Sequence, residues 1–280
     1  MIFDVSLPLA LSLITVAVLF VHTKLGGKIK SLLGGKEFTT RDVILLVVMM
    51  GAMVTVLGWT VINIPEMAIV VFFLCAYSTV LFLFTYLIVS KFYLAVLTPA
   101  LFIALYLLYR DTYLWNVNIP PHTPYLLNLF AIIFAISVSV YLGSLFTWKT
   151  TAVFVALLTI MDVIQVLLTG FMVESGERMI ALQLPVVIAL PSFPLQGYIM
   201  FLGLGDIFLS GLLIIQSTQK YGRRWGLATI VAIGAVFLLL ETVLMNSGIA
   251  AFPATVFVLA GWFTTLGIRY LYKSPFFGAG

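Results

Sequence analysis

Three acidic residues stand inside long apolar stretches of this chain: Asp162, Asp206 and Glu241. A carboxylate deep in a bilayer is costly, so such a residue points first to chemistry or transport. Asp162 falls near the middle of an apolar span at 152–173, and Asp206 near the middle of the next, at 195–215. Consecutive spans run antiparallel, which predicts the two carboxyls at similar depth and able to meet. Two facing carboxyls in a low dielectric cannot both ionise cheaply and tend to share one proton. One then accepts a proton from water while the other donates to a carbonyl oxygen. That division of labour hydrolyses a peptide bond without a covalent intermediate. Neither a nucleophile-elbow serine nor a His-Glu zinc motif competes with it, and the chemistry calls for no metal or cofactor. The same acids would equally serve a proton- or ion-coupled transporter, or form a hydrogen-bonded structural pair. Glu241, followed by Thr242, lies nearer the end of its span and reads as a structural group.

The elements that carry these acids follow from composition. Of 280 residues, 63% are hydrophobic and 9% charged, with a mean hydropathy of +1.21. Soluble domains are roughly half apolar and about a quarter charged. An ordinary soluble protein, a disordered chain and a nucleic-acid-binding domain are thereby excluded, and the lipid bilayer becomes the expected surroundings. A membrane helix needs about 20 apolar residues. Nine spans answer to this, at 6–22, 43–62, 67–90, 92–109, 125–147, 152–173, 195–215, 226–246 and 250–272. The run 67–109 is interrupted by one charge, Lys91, and must be two helices. The polar/apolar alternation of a membrane barrel is missing. Asp4 precedes the first span where a signal peptide would be basic, so that span reads as a retained helix. A single cysteine, Cys75, leaves no internal disulfide and no thiolate cluster. The expected architecture is an all-α polytopic membrane protein forming one domain over 1–280.

The basic residues orient it. With nine crossings, one membrane side holds Lys24, Lys28, Lys30, Lys36, Arg41, Lys91, Lys149, Lys220, Arg223, Arg224, Arg269 and Lys273, which is 12 of the 14 Lys and Arg. Only Arg110 and Arg178 fall on the other side. Because Lys and Arg gather on the cytoplasmic side, the N-terminus is expected outside and the C-terminus in the cytoplasm. The basic, glycine-rich loop 23–42 reads as a topology anchor beside anionic lipid. The outer loop 110–124, with Trp115, Pro120, Pro121, His122 and Pro124, reads as a rigid interfacial turn.

The surroundings of Asp206 carry a resemblance. Gly203-Leu204-Gly205-Asp206 is similar to the Gly-x-Gly-Asp motif of the intramembrane aspartyl proteases, the presenilin and signal peptide peptidase family. In that family the acids stand on the sixth and seventh of nine helices, and here Asp162 and Asp206 fall on spans six and seven. The residue before Asp162 is Met161, where the family usually has Tyr. The family's Pro-Ala-Leu motif opens the ninth helix; here that place reads Ala251-Phe252-Pro253-Ala254-Thr255, from which Pro253 and Ala254 are carried over. The resemblance implies Asp162 and Asp206 as catalytic residues, Gly203 and Gly205 as site-shaping residues, and transmembrane peptides such as signal peptides as substrates. It makes 152–280 the catalytic part and 1–151 the scaffold, and is compatible with a homo-oligomer. The charge bias matches the signal-peptide-peptidase orientation, and the small size suits a microbial, archaeal homologue. Prepilin peptidases share the short motif, but they carry cysteine pairs and a lysine soon after the acid, both missing here.

Between the two acids runs Gln183-Leu184-Pro185-Val186-Val187-Ile188-Ala189-Leu190-Pro191. It is apolar and β-branched, yet too short and too proline-bounded for a spanning helix. Either a short strand edge or a re-entrant interfacial segment fits it. As a strand, Val187 and its neighbours would pair with an unwound substrate.

Overall fold

The computed structural model describes residues 2–32, 34–59, 65–112, 124–195, 197–247 and 252–273. Most of the outer loop, including Trp115 and His122, and Ala251 of the Pro-Ala-Leu-like segment lie outside the described residues.

Runs of Leu, Val, Ile and Phe this long fold as helices, because backbone in lipid must satisfy its own hydrogen bonds. In chain order the elements are α1 (Ser6–Leu32), α2 (Thr40–Trp59), α3 (Glu66–Val89), α4 (Phe92–Tyr109), α5 (Tyr125–Leu145) and α6 (Trp148–Val163). A single π-helical stretch, Ile164–Leu168, continues α6. Then come α7 (Phe171–Ala181), β1 (Val187–Pro191), β2 (Ile199–Gly203), α8 (Leu204–Tyr221), α9 (Arg223–Ser247) and α10 (Ala254–Lys273). Among the described residues the regular structure is helical apart from one two-stranded sheet.

Among the described residues seven helices are long and apolar enough to cross a membrane: α1, α3, α4, α5, α6 with its π-helical extension, α9 and α10. α2 falls on the second expected span, and α8 overlaps only the latter part of the seventh. Polar residues dilute α8, with Asp206 in its first turn and Gln216-Ser217-Thr218-Gln219-Lys220 near its end. They are accommodated because α8 is the central helix. Every residue from Ile207 to Ser217 is buried, against α1, α5, α6, α9 and α10. Gln216 uses its amide to bond the carbonyls of Gly143 (3.2 Å) and Phe146 (2.9 Å) at the end of α5. Leu209, Leu212, Leu213 and Ile214 centre the main core, which reaches Leu11 of α1, Phe154 of α6, Phe237 of α9 and Trp262 of α10. A second core stacks Tyr77 of α3 between Phe102 of α4 and Phe134 of α5, at ring distances of 4.7 and 4.0 Å. The peripheral helices turn large apolar side chains outward, Leu108 and Val231 among them, as a lipid-facing surface requires.

The first span, expected over 6–22, runs on as α1 to Leu32, so the first half of the expected loop 23–42 is helix. Two further differences fall at the acids. The sixth was expected to run helical to residue 173. It instead passes into the π-helical stretch right after Asp162 and ends at Gly170, whose φ of 71° is left-handed backbone. The next eleven residues, expected as loop, form α7, an amphipathic helix that buries Ser175 and exposes Glu174 and Glu177. The seventh span was expected as one helix over 195–215. Its first part is β2, and the helix starts only at Leu204. The alternative left open for 184–190 resolves as a strand: β1 pairs antiparallel with β2, in the register Val187 with Gly203 through Pro191 with Ile199. A strand here is affordable inside a membrane protein because its partner lies in the same chain and protein covers it.

Candidate active site

α6 and α8 share a base. The rings of Trp148, first residue of α6, and Tyr221, last residue of α8, are 5.2 Å apart in an edge contact. From there the two helices rise side by side in opposite chain directions. Asp162 is 14 residues beyond Trp148, and Asp206 is 15 residues before Tyr221. At 1.5 Å per residue both stand about 21–23 Å above that contact. The two acids therefore share a depth, and the charge of Asp162 acts on Asp206. Asp206 is thus not mid-helix, as the seventh span implied, but in the first turn of α8, where the helix dipole favours a negative charge.

Asp162 is buried, 5% exposed, and its Oδ1 makes no hydrogen bond among the described residues. The nearest hydroxyl that acts on it belongs to Thr255, in the first turn of α10. That contact falls short of a formed bond, since Thr255 Oγ1 is also buried without a partner. An acid and a hydroxyl held together but unsatisfied leave hydrogen-bonding capacity for a third group. Pro253 is buried just ahead of α10, and its carbonyl accepts the N–H of Val256 at 3.1 Å. Pro253 and Ala254 thus set the start of the helix, and Thr255 is the residue that reaches the acid.

Gly203 ends β2 and caps α8 in extended backbone, φ −68° and ψ 142°. A Cβ at this position would lie 3.0 Å from Asp206 Oδ2, so any larger residue would push the carboxyl outward by a few tenths of an ångström. At Gly205 the same test meets nothing within 4 Å; the backbone beside Asp206 is open on that side. Val187 is the register partner of Gly203. The structure therefore gathers Val187, Gly203, Gly205 and Asp206 in one place, and Asp162 with Pro253, Ala254 and Thr255 beside it. Glu241 is not in this group. It is buried on α9 near Asp4, with Oε2 unpartnered among the described residues.

The sheet has one open edge. Asn128 of α5 holds both backbone groups of Ala189: its Nδ2 donates to Ala189 O at 2.7 Å, and its Oδ1 accepts from Ala189 N at 2.8 Å. Ala189 therefore faces away from β2. In an antiparallel ladder its opposite residue, Phe201, must also turn its N–H and C=O outward. By the same alternation so do Ile199 and the N–H of Gly203, whose carbonyl, at the N-cap, serves the first turn of α8. Among the described residues no hydrogen bond from outside the sheet reaches these groups. The strand edge available for pairing thus belongs to β2, and it ends beside Asp206. β1, where Val187 sits, supports it from behind.

A groove of about 520 Å³ opens between α2 and α6, lined by Gly51, Thr55, Met161 and Gln165 among others, with Asp162 outside its lining. Gln165, in the π-helical stretch, donates to Gly51 O at 3.0 Å and so ties α2 to the segment that carries Asp162.

Thr255, Asn128 and Asp4 are the residues that sequence reasoning passed over. Asn128 had a visible signal, an amide inside the apolar span 125–147. Asp4 was noted only as a charge ahead of the first span, and Thr255 only as part of a motif in uncertain register. No protein-family model matches the chain, and no curated protein matches it.

Proposed function

We propose that this protein is an intramembrane aspartyl endopeptidase, similar to the presenilin and signal peptide peptidase family, that hydrolyses peptide bonds within transmembrane segments. The observation that carries this is the pair Asp162 and Asp206, at one depth on antiparallel helices with the charge of Asp162 acting on Asp206, beside an open strand edge. Intramembrane acids with unfilled hydrogen-bonding capacity are expensive to maintain and call for a function.

The chemistry follows from one shared proton. With one carboxyl ionised, it accepts a proton from a water molecule as that water's oxygen bonds to the scissile carbonyl carbon. The protonated partner gives its proton to the carbonyl oxygen, and a neutral tetrahedral diol results. Collapse of the diol returns a proton to the amide nitrogen, the C–N bond breaks, and the dyad recovers its single proton. Thr255, beside Asp162, is placed to orient that carboxyl. A substrate helix must unwind before it is cut, and its freed amides and carbonyls are costly in lipid unless paired. The outward groups of Ile199 and Phe201, with the N–H of Gly203, supply such pairing by strand addition.

The reading includes nine crossings, with the N-terminus outside and the C-terminus cytoplasmic, on the strength of the Lys and Arg distribution. Cysteines at Glu174 and Arg224, both exposed, in a Cys75→Ala background should label from opposite sides with an impermeant reagent. Labelling from one side would overturn the crossing between them.

The deciding experiment incubates the purified protein, in detergent and in liposomes, with a transmembrane peptide of signal-peptide type and follows fragments by mass spectrometry. Cleavage that disappears in Asp162→Asn supports the protease. An intact peptide together with proton flux across the liposomes would favour a transporter using the same acids.

A further inference from the structure

The shared base of α6 and α8 holds a second feature, far from the acids. Lys220 Nζ lies 3.7 Å from the centroid of the Trp148 ring and 5.3 Å from that of Tyr221. The guanidinium of Arg269, on α10, lies 3.7 Å from the same Tyr221 ring and 5.9 Å from Trp225. Both cations thus reach one aromatic ring and stand within a single headgroup's span of each other. Trp148 also packs on Trp262 at 5.4 Å, and Trp262 is fixed by donating its indole N–H to Ser217 at 3.1 Å. Four helices, α6, α8, α9 and α10, so converge on a belt of Trp and Tyr at their ends, the arrangement proteins place at the membrane–water boundary.

The charges of this belt lack an anionic partner. Among the described residues the ion pairs are Lys30 with Glu37 and Arg110 with Asp111, and neither is at this site. Arg269 Nε is buried with no acceptor. Lys149, Arg223 and Arg224 begin the adjoining helices and add charge of the same sign. Cation–π contacts hold the two side chains in place but accept none of their N–H hydrogens. A guanidinium fork with an unfilled N–H and an ammonium beside it form a receptor for a tetrahedral oxyanion. The sides of α9 and α10 that lead into the bilayer from here are apolar and exposed, with Leu227, Phe263, Ile268 and Leu271.

We propose that Lys220 and Arg269, set on Trp148 and Tyr221, form a binding site for the phosphate headgroup of an anionic phospholipid, whose acyl chains lie along α9 and α10. The apolar approach selects a lipid over a soluble phosphate. The site does not depend on the proteolytic reading. It lies at the opposite end of α8 from Asp206, so an occupied site would hold the foot of the helix whose head carries that acid.

The test uses the full chain, delipidated in an uncharged detergent, and follows thermal unfolding during titration with phosphatidylglycerol, phosphatidylcholine or inorganic phosphate. Phosphatidylglycerol should raise the Tm in a saturable way, while phosphatidylcholine and phosphate should not. Each basic residue near an anionic lipid contributes roughly fivefold to binding, so Lys220→Gln with Arg269→Gln should weaken the phosphatidylglycerol response by roughly twentyfold. The single Lys220→Gln variant, at an exposed position, should weaken it by roughly fivefold and stands in if the double variant does not fold. A control that removes equal charge elsewhere, Lys91→Gln with Arg110→Gln, should respond like the parent. The proposal is overturned if the site variants respond like the parent, if the control loses as much, or if inorganic phosphate reproduces the shift.

Discussion

The carboxylate of Asp4 accepts the backbone N–H of Phe193 at 2.8 Å through one oxygen and that of Leu7 at 3.1 Å through the other. One fully buried side chain therefore caps α1 and grips the turn between β1 and β2. The grip is reinforced on both sides: Val5 N–H donates to Phe193 O at 2.8 Å, and Ser6 Oγ donates to Pro191 O at 2.7 Å. Since β2 runs directly into Gly203 and Asp206, the segment before α1 holds the hairpin that delivers the second acid.

Asp4→Ser separates these two duties. Serine still caps a helix, but one short hydroxyl cannot serve Leu7 and Phe193 together. Loss of a charge-assisted bond should cost about 1–3 kcal/mol. Hydrogen exchange across 187–203 should quicken while the first turn of α1 stays protected, and kcat for cleavage should fall more than KM changes. Unaltered exchange in the hairpin would reduce Asp4 to a helix cap.

Asp162→Asn and Asp206→Asn should each remove nearly all proteolysis, a drop of at least ~10³-fold, because the two acids act as one unit. Circular dichroism and gel-filtration profiles should match the parent. Substantial turnover by either variant would dismiss the dyad.

Cleavage should follow a bell-shaped pH profile. As pH falls, a second proton enters the pair and the base is lost; as pH rises, the shared proton leaves and the acid is lost. Rates of single-turnover cleavage, which exclude product release, check this. A flat profile from pH 4 to pH 8 would contradict a one-proton dyad.

Phe201→Pro deletes an N–H that points out of the sheet and so leaves the β1–β2 ladder intact. It should slow cleavage by roughly fivefold to tenfold, the worth of one hydrogen bond to an unwound substrate. Helix-breaking residues placed in the substrate should not rescue it, because the missing group is the enzyme's donor and not the substrate's freedom to unwind. Val187→Pro, on the strand whose other edge Asn128 occupies, should be the milder change. Equal rates for Phe201→Pro and the parent would mean that substrates do not pair along β2.

Much of the helical frame was legible, since hydropathy alone marks where backbone must satisfy itself in lipid. Spans three, four and five came within a few residues of α3, α4 and α5. The departures fall where local rules compete. At 195–215 an apolar run was taken as helix throughout, yet Ile199-Met200-Phe201-Leu202 suits a strand as well, and only the partner strand decides between them. The pairing of Asp162 with Asp206 was readable from order and depth. Their neighbours were not, because Thr255 and Asn128 reach the site through contacts distant in sequence, 93 positions from Asp162 in one case and 61 from Ala189 in the other. The role of Asp4 was hidden for the same reason: its second partner, Phe193, is 189 positions away.

The ring contact of Trp148 with Tyr221 acts as the zero mark of a ruler. It sits in the aromatic belt, which the membrane boundary holds in place, and the acids stand a fixed count of helical residues above it. On the proposed proteolytic reading, a cut would be set by distance from the bilayer surface and not by the identity of the residues cut. A substrate helix is gauged by its own boundary residues against the same surface. Lengthening its apolar part between its basic flank and the scissile bond would move the cut by the inserted residues. A bilayer thicker or thinner by a few ångströms would tilt substrate and enzyme differently, and so shift the cleaved bond without changing a single side chain in the site.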